Sequence, residues 1–363
     1  MRFLSRLAAC ALAASLALSS ACAEVTLHLT FTGDCTLGSE EAKRKQETSF
    51  DSVIAREGYG WPFANMQQLF QNDDLTVVNL EGVLSDSKSS ENKKKTYRFR
   101  GPTAFVDILT RSGIEAVNLA NNHTQDFGKQ GYRATTDALN KAGVGYFGSR
   151  SVYIFEKHGI KIAFFGLNST AFHGNKAWAK EEIARLKQEE GVNAVVFTFH
   201  AGQEYGKHRT EAQETYARYM IDAGADLIIG HHPHVVQGLE QYKNRTICYS
   251  LGNFAFGGNK SVRAIETVVA DVAMTFADNG EYLGQQVTLY PAHISGTYPD
   301  NNYQPVLVSG EAAQEVMALI QNDTDYPLTP FTDEAGCAAQ PYLPAQTGQE
   351  PPAADMGFTV QEE

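Results

Sequence analysis

The order of apolar segments constrains this 363-residue chain more than any other feature. Short β-branched runs at 25–32, 75–79, 115–119, 194–198 and 226–229 read as strands. Between them, 61–71 (Pro62 in its first turn), 103–112 (stopped by Gly113), 130–142 (ended by Gly143), 178–189 and 211–223 carry helical spacing. Runs 152–156 and 160–166 flank His158-Gly159, a hairpin signal. From Thr246 the pattern turns to strands, with 264–276 and 281–290 facing each other across Asp278-Asn279-Gly280 and a last helix at 311–321. An α/β half followed by a β-rich half predicts stacked sheets covered by helices.

The two ends read differently from this body. Arg2 and Arg6 precede an apolar stretch, 7–18, that is short for a membrane span. Ala21-Cys22-Ala23 has the small-x-small form of a cleavage site, so residues 1–23 are expected to be a signal peptide and the mature chain to start at Glu24. A retained anchor through 7–23 and a lipoprotein at Cys22 are the other readings. All three place the protein outside the cytoplasm, as a secreted, periplasmic or membrane-anchored protein of the cell envelope. The domain is expected over 24–322. Residues 323–363 hold six prolines, eight acids and no basic residue, a composition expected to stay without a fold and to be dispensable.

The formal charge is −12, and no Lys or Arg follows Arg263 although fifteen acids do. That excludes general nucleic-acid binding, which needs a basic face. Outside the leader the cysteines are Cys35, Cys248 and Cys337, so at most one disulfide is possible.

Polar residues able to bind a metal recur at the carboxyl ends of the predicted strands, where α/β folds build their sites. Asp34 follows the first strand after Gly33. Asn79 and Glu81 end the second, and Asn121, Asn122 and His123 the third, with Asp126 and Gly128 just beyond. His200 ends the strand at 194–198, and His231, His232 and His234 the one at 226–229. Each has a plain structural reading: a Gly-Asp turn, an Asn that caps a helix, a half-buried histidine, a Glu paired with a basic loop. Three histidines within His231-His232-Pro233-His234 have few such explanations. Carboxylate, amide and imidazole together suit a hard or borderline divalent metal.

In this order the chain resembles the CapA family of poly-γ-glutamate capsule biosynthesis, placed with the calcineurin-like metallophosphoesterases. The resemblance rests on Phe31-Thr32-Gly33-Asp34, Val78-Asn79-Leu80-Glu81-Gly82, Asn118-Leu119-Ala120-Asn121-Asn122-His123 and Phe199-His200-Ala201-Gly202-Gln203-Glu204-Tyr205. It extends through Gly230-His231-His232-Pro233-His234-Val235-Val236-Gln237-Gly238 and Ser250-Leu251-Gly252-Asn253-Phe254. It implies a four-layer α-β-β-α sandwich and a pocket for two divalent ions, Mn, Fe or Zn. Asp34 and His234 would hold one ion, Asn122, His200 and His232 the other, and Glu81 would bridge. His123 with Asp126 would form the catalytic pair, His123 donating the proton. Arg100, Glu204 and Asn253 would bind substrate. The sequence departs from the wider superfamily at Thr36, where a His is usual, and at Glu81, where the bridge is usually Asp. Ala201 stands where the family usually has Trp.

Three uses of such a pocket follow. It could hydrolyse phosphoesters, or act on the amides of an acidic polymer such as poly-γ-glutamate. It could also bind polymer without turnover, as an accessory of a membrane synthase. Lys88, Lys93, Lys94, Lys95, Arg98 and Arg100, in the loop 85–100 after Glu81, read either as a solvated charge run or as a cationic rim for an anionic substrate.

Overall fold

The strand Val25–Thr36 organises the architecture in a computed structural model that describes residues 24–258, 260–329, 338–339 and 342–345. The expected leader and Cys337 lie outside the described residues. Along its first half this strand pairs antiparallel with Glu266–Phe276, from Val25 opposite Phe276 to Phe31 opposite Ala270. On its other side it runs parallel to Leu75–Leu80. Gly33 then lies so close to Gly252 that a Cβ there would sit 2.2 Å from the Gly252 carbonyl oxygen. The Asp34 amide donates to that oxygen, and the register against Leu75–Leu80 shifts between Phe31 and Asp34. Beyond this break the strand gains a new parallel neighbour, Asn253–Phe256, with Asp34 opposite Asn253.

The first sheet continues through Ala116–Asn118 and Gly145–Phe147 on one side and through Tyr282–His293 and Val306–Leu307 on the other. A second sheet has the order Leu239–Tyr242, Arg245–Cys248, Leu227–His231, Ala194–His200, Ile160–Asn168, Tyr153–Lys157, parallel inside and antiparallel at both edges. Alternate residues divide the layers. Leu27, Leu29, Phe31 and Val77 pack against Ile162, Phe164, Val196 and Ile229 between the sheets. Val78, Leu80 and Val117 face outward onto Phe50, Phe63, Ile108 and Leu139 of the helices Phe50–Glu57 and Gly128–Ala142 and their neighbours. Phe165, Val195 and Phe197 face the opposite way, onto Phe172, Ile183 and Met220 of Ser169–Gln188 and Glu211–Asp222. The result is the four-layer α-β-β-α sandwich. Each such side chain stabilises by about 1.5–3 kcal/mol when fully buried, so a one-residue slip, which would exchange the faces, is strongly disfavoured.

The strands after Thr246 form no layer of their own: Arg245–Cys248 joins the second sheet, the later ones the first. Helices differ most from expectation at their starts. The stretch at 178–189 is only the second half of Ser169–Gln188, which Asn168 caps by accepting from the Ala171 amide. Thr170 and Gly174 dilute the helical signal of its first half. The helices at 61–71 and 103–112 begin as 3₁₀ turns, Ala64–Met66 and Thr103–Phe105. Helix Phe50–Glu57, capped by Ser49, was not among the expected elements.

The first residues after the expected boundary at 322 pack on the body of the domain. Asp323 and Thr324 are buried. Asp323 Oδ2 accepts from the amides of Gly238 (2.9 Å) and Arg209 (3.1 Å), and Thr324 Oγ1 from that of Leu239 (3.0 Å). A Cβ on Gly238 would lie 1.9 Å from the Asp323 carbonyl oxygen, so the segment packs directly on that glycine. Ala338–Ala339 and Leu343–Pro344 pair with Tyr282–His293. A domain edge at 322 would cut through these bonds. The composition of 323–363 hides them because the donors lie some 85 residues away in sequence.

Candidate metal centre

The parallel strands of both sheets end at one edge, and their terminal residues meet there. Asp34 is fully buried between them. Its Oδ2 lies 3.0 Å from His234 Nδ1, and its Oδ1 lies 3.3 Å from His231 Nδ1. Burial alone would raise this carboxyl, but the two imidazoles outweigh it and hold it well below the usual range. Its Oδ1 also accepts from Asn79 Nδ2 at 2.8 Å. Asn79 Oδ1 in turn accepts from Asn118 Nδ2 (3.0 Å) and Asn121 Nδ2 (3.1 Å). Asn121 Oδ1 then accepts the amide of His123. Asn79 and Asn121 therefore brace the site, a role their strand-end position alone did not reveal.

Glu81 is the residue out of balance. It is fully buried, and neither carboxylate oxygen has a hydrogen-bond partner. His200 Nε2 lies 3.5 Å and His123 Nε2 3.9 Å from its Oε1. Burial, reinforced by the charge of Asp34, pushes its carboxyl well above the usual range. An uncompensated buried charge costs several kcal/mol, so this pocket is electrostatically incomplete unless a cation enters it. The donor set fits such an ion. Asp34, Glu81 and His200 each offer an atom within 4.8 Å of the others, and so do Glu204, His232 and His234. Oxygen and imidazole donors at that spacing suit a borderline divalent metal. Glu204, expected to bind substrate, thus lies within reach of two candidate ligands, His232 and His234.

The other ligand candidates lie beside these. His200 Nε2 lies 2.8 Å from Asn122 Oδ1 and 3.1 Å from His232 Nδ1. Burial holds His200 well below its ordinary value and lowers His232, where the neighbouring His234 adds to the effect. For His234 burial works downward, but Glu81 and Asp34 outweigh it and push the imidazole up to about 9. Asn253 Oδ1 lies 2.9 Å from His234 Nδ1, so this candidate substrate residue orients an imidazole. His232, His234 and Tyr205 all adopt positive φ, +101°, +59° and +60°. Such backbone costs about 1–3 kcal/mol per residue and concentrates where a site demands it. Thr36, at the departure noted above, donates to the Glu81 carbonyl at 2.9 Å.

His123 Nδ1 lies 2.7 Å from Asp126 Oδ2, which leaves Nε2 facing Glu81. Asp126 also accepts from the Phe99 amide (2.8 Å) and from Lys95 Nζ (2.5 Å), and Lys95 reaches the Asn122 carbonyl as well. Asp126 is thus positioned behind His123. The basic loop is largely tied down: Arg98 pairs with Glu91, and Arg100 binds Glu41 and the Ser85 carbonyl and lies over the Phe127 ring. The partners of Arg100 among the described residues, Glu41, Ser85 and Phe127, do not include a candidate metal ligand. An exposed cation not singled out by the sequence does stand near them. The Arg263 guanidinium stacks 3.6 Å from the centroid of the Tyr205 ring, itself 6.1 Å from that of His234. Cys35 and Cys248 are buried free thiols. No helix among the described residues is long and apolar enough to cross a membrane.

Comparison with known proteins shows the family. Over 254 residues the chain is 29% identical to the capsule biosynthesis protein CapA of Bacillus anthracis, covering 63% of this chain and 60% of that protein. It is 30% identical over 249 residues to the PGA biosynthesis protein CapA of Bacillus subtilis, covering 63% of each. A "probable polyglutamine synthesis accessory protein" of Mycobacterium tuberculosis is 24% identical over 241 residues, covering 56% of this chain and 63% of that one. The chain therefore spans somewhat less than two thirds of the length of these relatives. The profile described as bacterial capsule synthesis protein PGA_cap matches residues 28–258, a span that includes every residue of the site from Asp34 to Asn253 and stops short of Arg263. The chain belongs to the PGA_cap family of bacterial capsule synthesis proteins.

Proposed function

We propose that this protein is an exported, metal-dependent hydrolase that acts on phosphoesters or on the amides of an anionic envelope polymer in capsule or poly-γ-glutamate synthesis. One observation carries the reading: the Glu81 carboxylate is buried, unpartnered and surrounded by Asp34, His200 and His123. Asp34, Glu81, Asn122, His200, His232 and His234 are the side chains that would hold divalent ions, two by analogy with the metallophosphoesterases. Bound ions would polarise the scissile group and supply an activated water.

The remaining chemistry belongs to the chain. Asp126 fixes the His123 ring through Nδ1, so Nε2 is the atom that can deliver a proton to a leaving oxygen or nitrogen. Lys95 and the Phe99 amide hold Asp126 in turn. Arg263, stacked on Tyr205, supplies positive charge at the rim for an anionic substrate. Purified protein should carry divalent metal and should hydrolyse a generic phosphoester or an oligo-γ-glutamate. Chelation should abolish that turnover and re-addition of metal restore it. Protein that neither holds nor binds metal would refute the reading.

The second reading, a non-catalytic polymer-binding accessory of a membrane synthase, is favoured by the accessory description of the mycobacterial relative. It predicts retained metal and binding of poly-γ-glutamate with no turnover of either substrate class.

A further inference from the structure

We infer that Glu204 is a metal ligand, grouped with His232 and His234 on one side of the centre. The inference rests on the metal-centre reading above and goes beyond it in assigning this residue. Asp34, Glu81 and His200 form one complete three-donor group. Glu204 lies with His232 and His234 in a second three-donor group, all within 4.8 Å, while the nearest other donors, Asp34 at 3.0 Å from His234 Nδ1 and His200 at 3.1 Å from His232 Nδ1, belong to the first group. Metal centres that keep a position open for substrate usually retain three protein ligands. Thr36 cannot serve as the third, because its hydroxyl is buried and donates to the Glu81 carbonyl.

Glu204 is exposed, yet its loop is fixed in place. The Ala201 amide donates to the His231 carbonyl at 3.0 Å, and the Tyr205 amide to the Pro233 carbonyl at 2.7 Å. Both anchors of the Glu204 turn therefore bind the segment that carries His232 and His234. Gly202, at φ +122°, permits the turn, and a Cβ there would lie 2.7 Å from Gln213 Oε1. Gln237 Nε2 holds the far side through the Gly206 carbonyl at 2.7 Å. A carboxylate held this way is preorganised for coordination. The unpartnered oxygens of Glu81 are the independent sign that a cation belongs in the same pocket. A ligand and a substrate contact differ in what their loss removes: losing a ligand weakens metal binding with no substrate present.

The test is Mn(II) titration calorimetry on the chelator-stripped full chain, with metal stoichiometry measured after dialysis, for wild type, Glu204→Ala, Glu204→Gln and Asp34→Ala. Because Glu204 is exposed, its variants should keep the wild-type thermal midpoint in chelator. The expected result is two ions per wild-type chain and one ion, or a second site at least about tenfold weaker, in both Glu204 variants. Wild-type stoichiometry and affinity in Glu204→Ala, with binding lost in Asp34→Ala, would overturn the Glu204 assignment and leave the metal centre standing. Wild type that binds no Mn(II) would overturn both.

Discussion

Replacing Glu81 by Gln should change stability with opposite signs in the metal-free and the metal-loaded protein. In the metal-free chain burial, then the charge of Asp34, pushes the Glu81 carboxyl well above its ordinary 4.5. The unfolded chain releases that proton near 4.5 while the folded chain still holds it. The unfolded state thus binds fewer protons, and stability falls as pH rises from about 4.5 to the raised folded value. Asp34 is shifted the other way, so its contribution is present above its ordinary 3.8 and is lost only in more acid solution. It does not disturb the window. Above the window Glu81 is a buried charge with no hydrogen-bond partner, offset only in part by the attraction of His234, and it costs several kcal/mol, whereas a buried unpaired amide costs about 1–3 kcal/mol.

The difference, about 2 kcal/mol in favour of Glu81→Gln, corresponds to a rise in thermal midpoint of roughly 4 °C for a chain of this size. It should appear at pH 8 in excess chelator and shrink toward pH 5. In saturating Mn(II) the sign should reverse. The wild type would gain about 2.7 kcal/mol at a hundredfold excess over Kd, and the variant, lacking the central carboxylate, would gain less. Differential scanning fluorimetry of both proteins in chelator and in Mn(II) measures all four midpoints. A destabilised Glu81→Gln in chelator, or the same sign in both conditions, would refute the electrostatic account of the pocket.

His234 and His123 should fail differently if the proposed function holds: His234→Ala should lower metal content and activity together, while His123→Ala should keep the metal and lose turnover by about 10²–10⁴-fold. Metal analysis beside single-turnover kinetics separates them. Arg263→Ala should weaken affinity for an anionic substrate or polymer several-fold without altering Mn(II) stoichiometry, and an unchanged affinity would remove Arg263 from the rim. Ending the chain after Gln321 strips the acceptors of the Gly238, Leu239 and Arg209 amides, at about 1 kcal/mol for each lost bond. The thermal midpoint should therefore fall by several degrees, and a chain ending after Thr329 should recover most of the loss.

What the sequence disclosed and what it hid divide along a physical line. A parallel strand delivers its last residue to the same sheet edge as its neighbours, so strand ends alone gathered Asp34, Asn79, Glu81, Asn121, Asn122, His123, His200, His231, His232 and His234 at one edge, and the family resemblance singled out six of them as candidate ligands. Strand and helix spacing predicted stacked sheets covered by helices, while the count of four layers came from the resemblance, and alternating strand faces are what build them. The side chains that steady those ligands carry no such signal. Lys95 lies in a run of cations and is distinguished only by the fold, which brings Asp126 to its ammonium across 31 residues. Arg100 fits a family motif, yet Glu41, 59 residues away, already occupies its guanidinium. Arg263 lies beyond the last motif and reaches the rim through its stack on Tyr205. Glu204 was visible as a motif residue but not in its role, because nothing in Gln203-Glu204-Tyr205 reveals that Tyr205 takes a positive φ and donates to Pro233. Placement at the sheet edge follows from strand order, whereas the support of those side chains follows from long-range hydrogen bonds between loops, which sequence spacing does not encode. The Glu204 and Glu81 variants therefore probe what only the three-dimensional arrangement could supply: which donors share an ion, and which carboxylate pays for its absence.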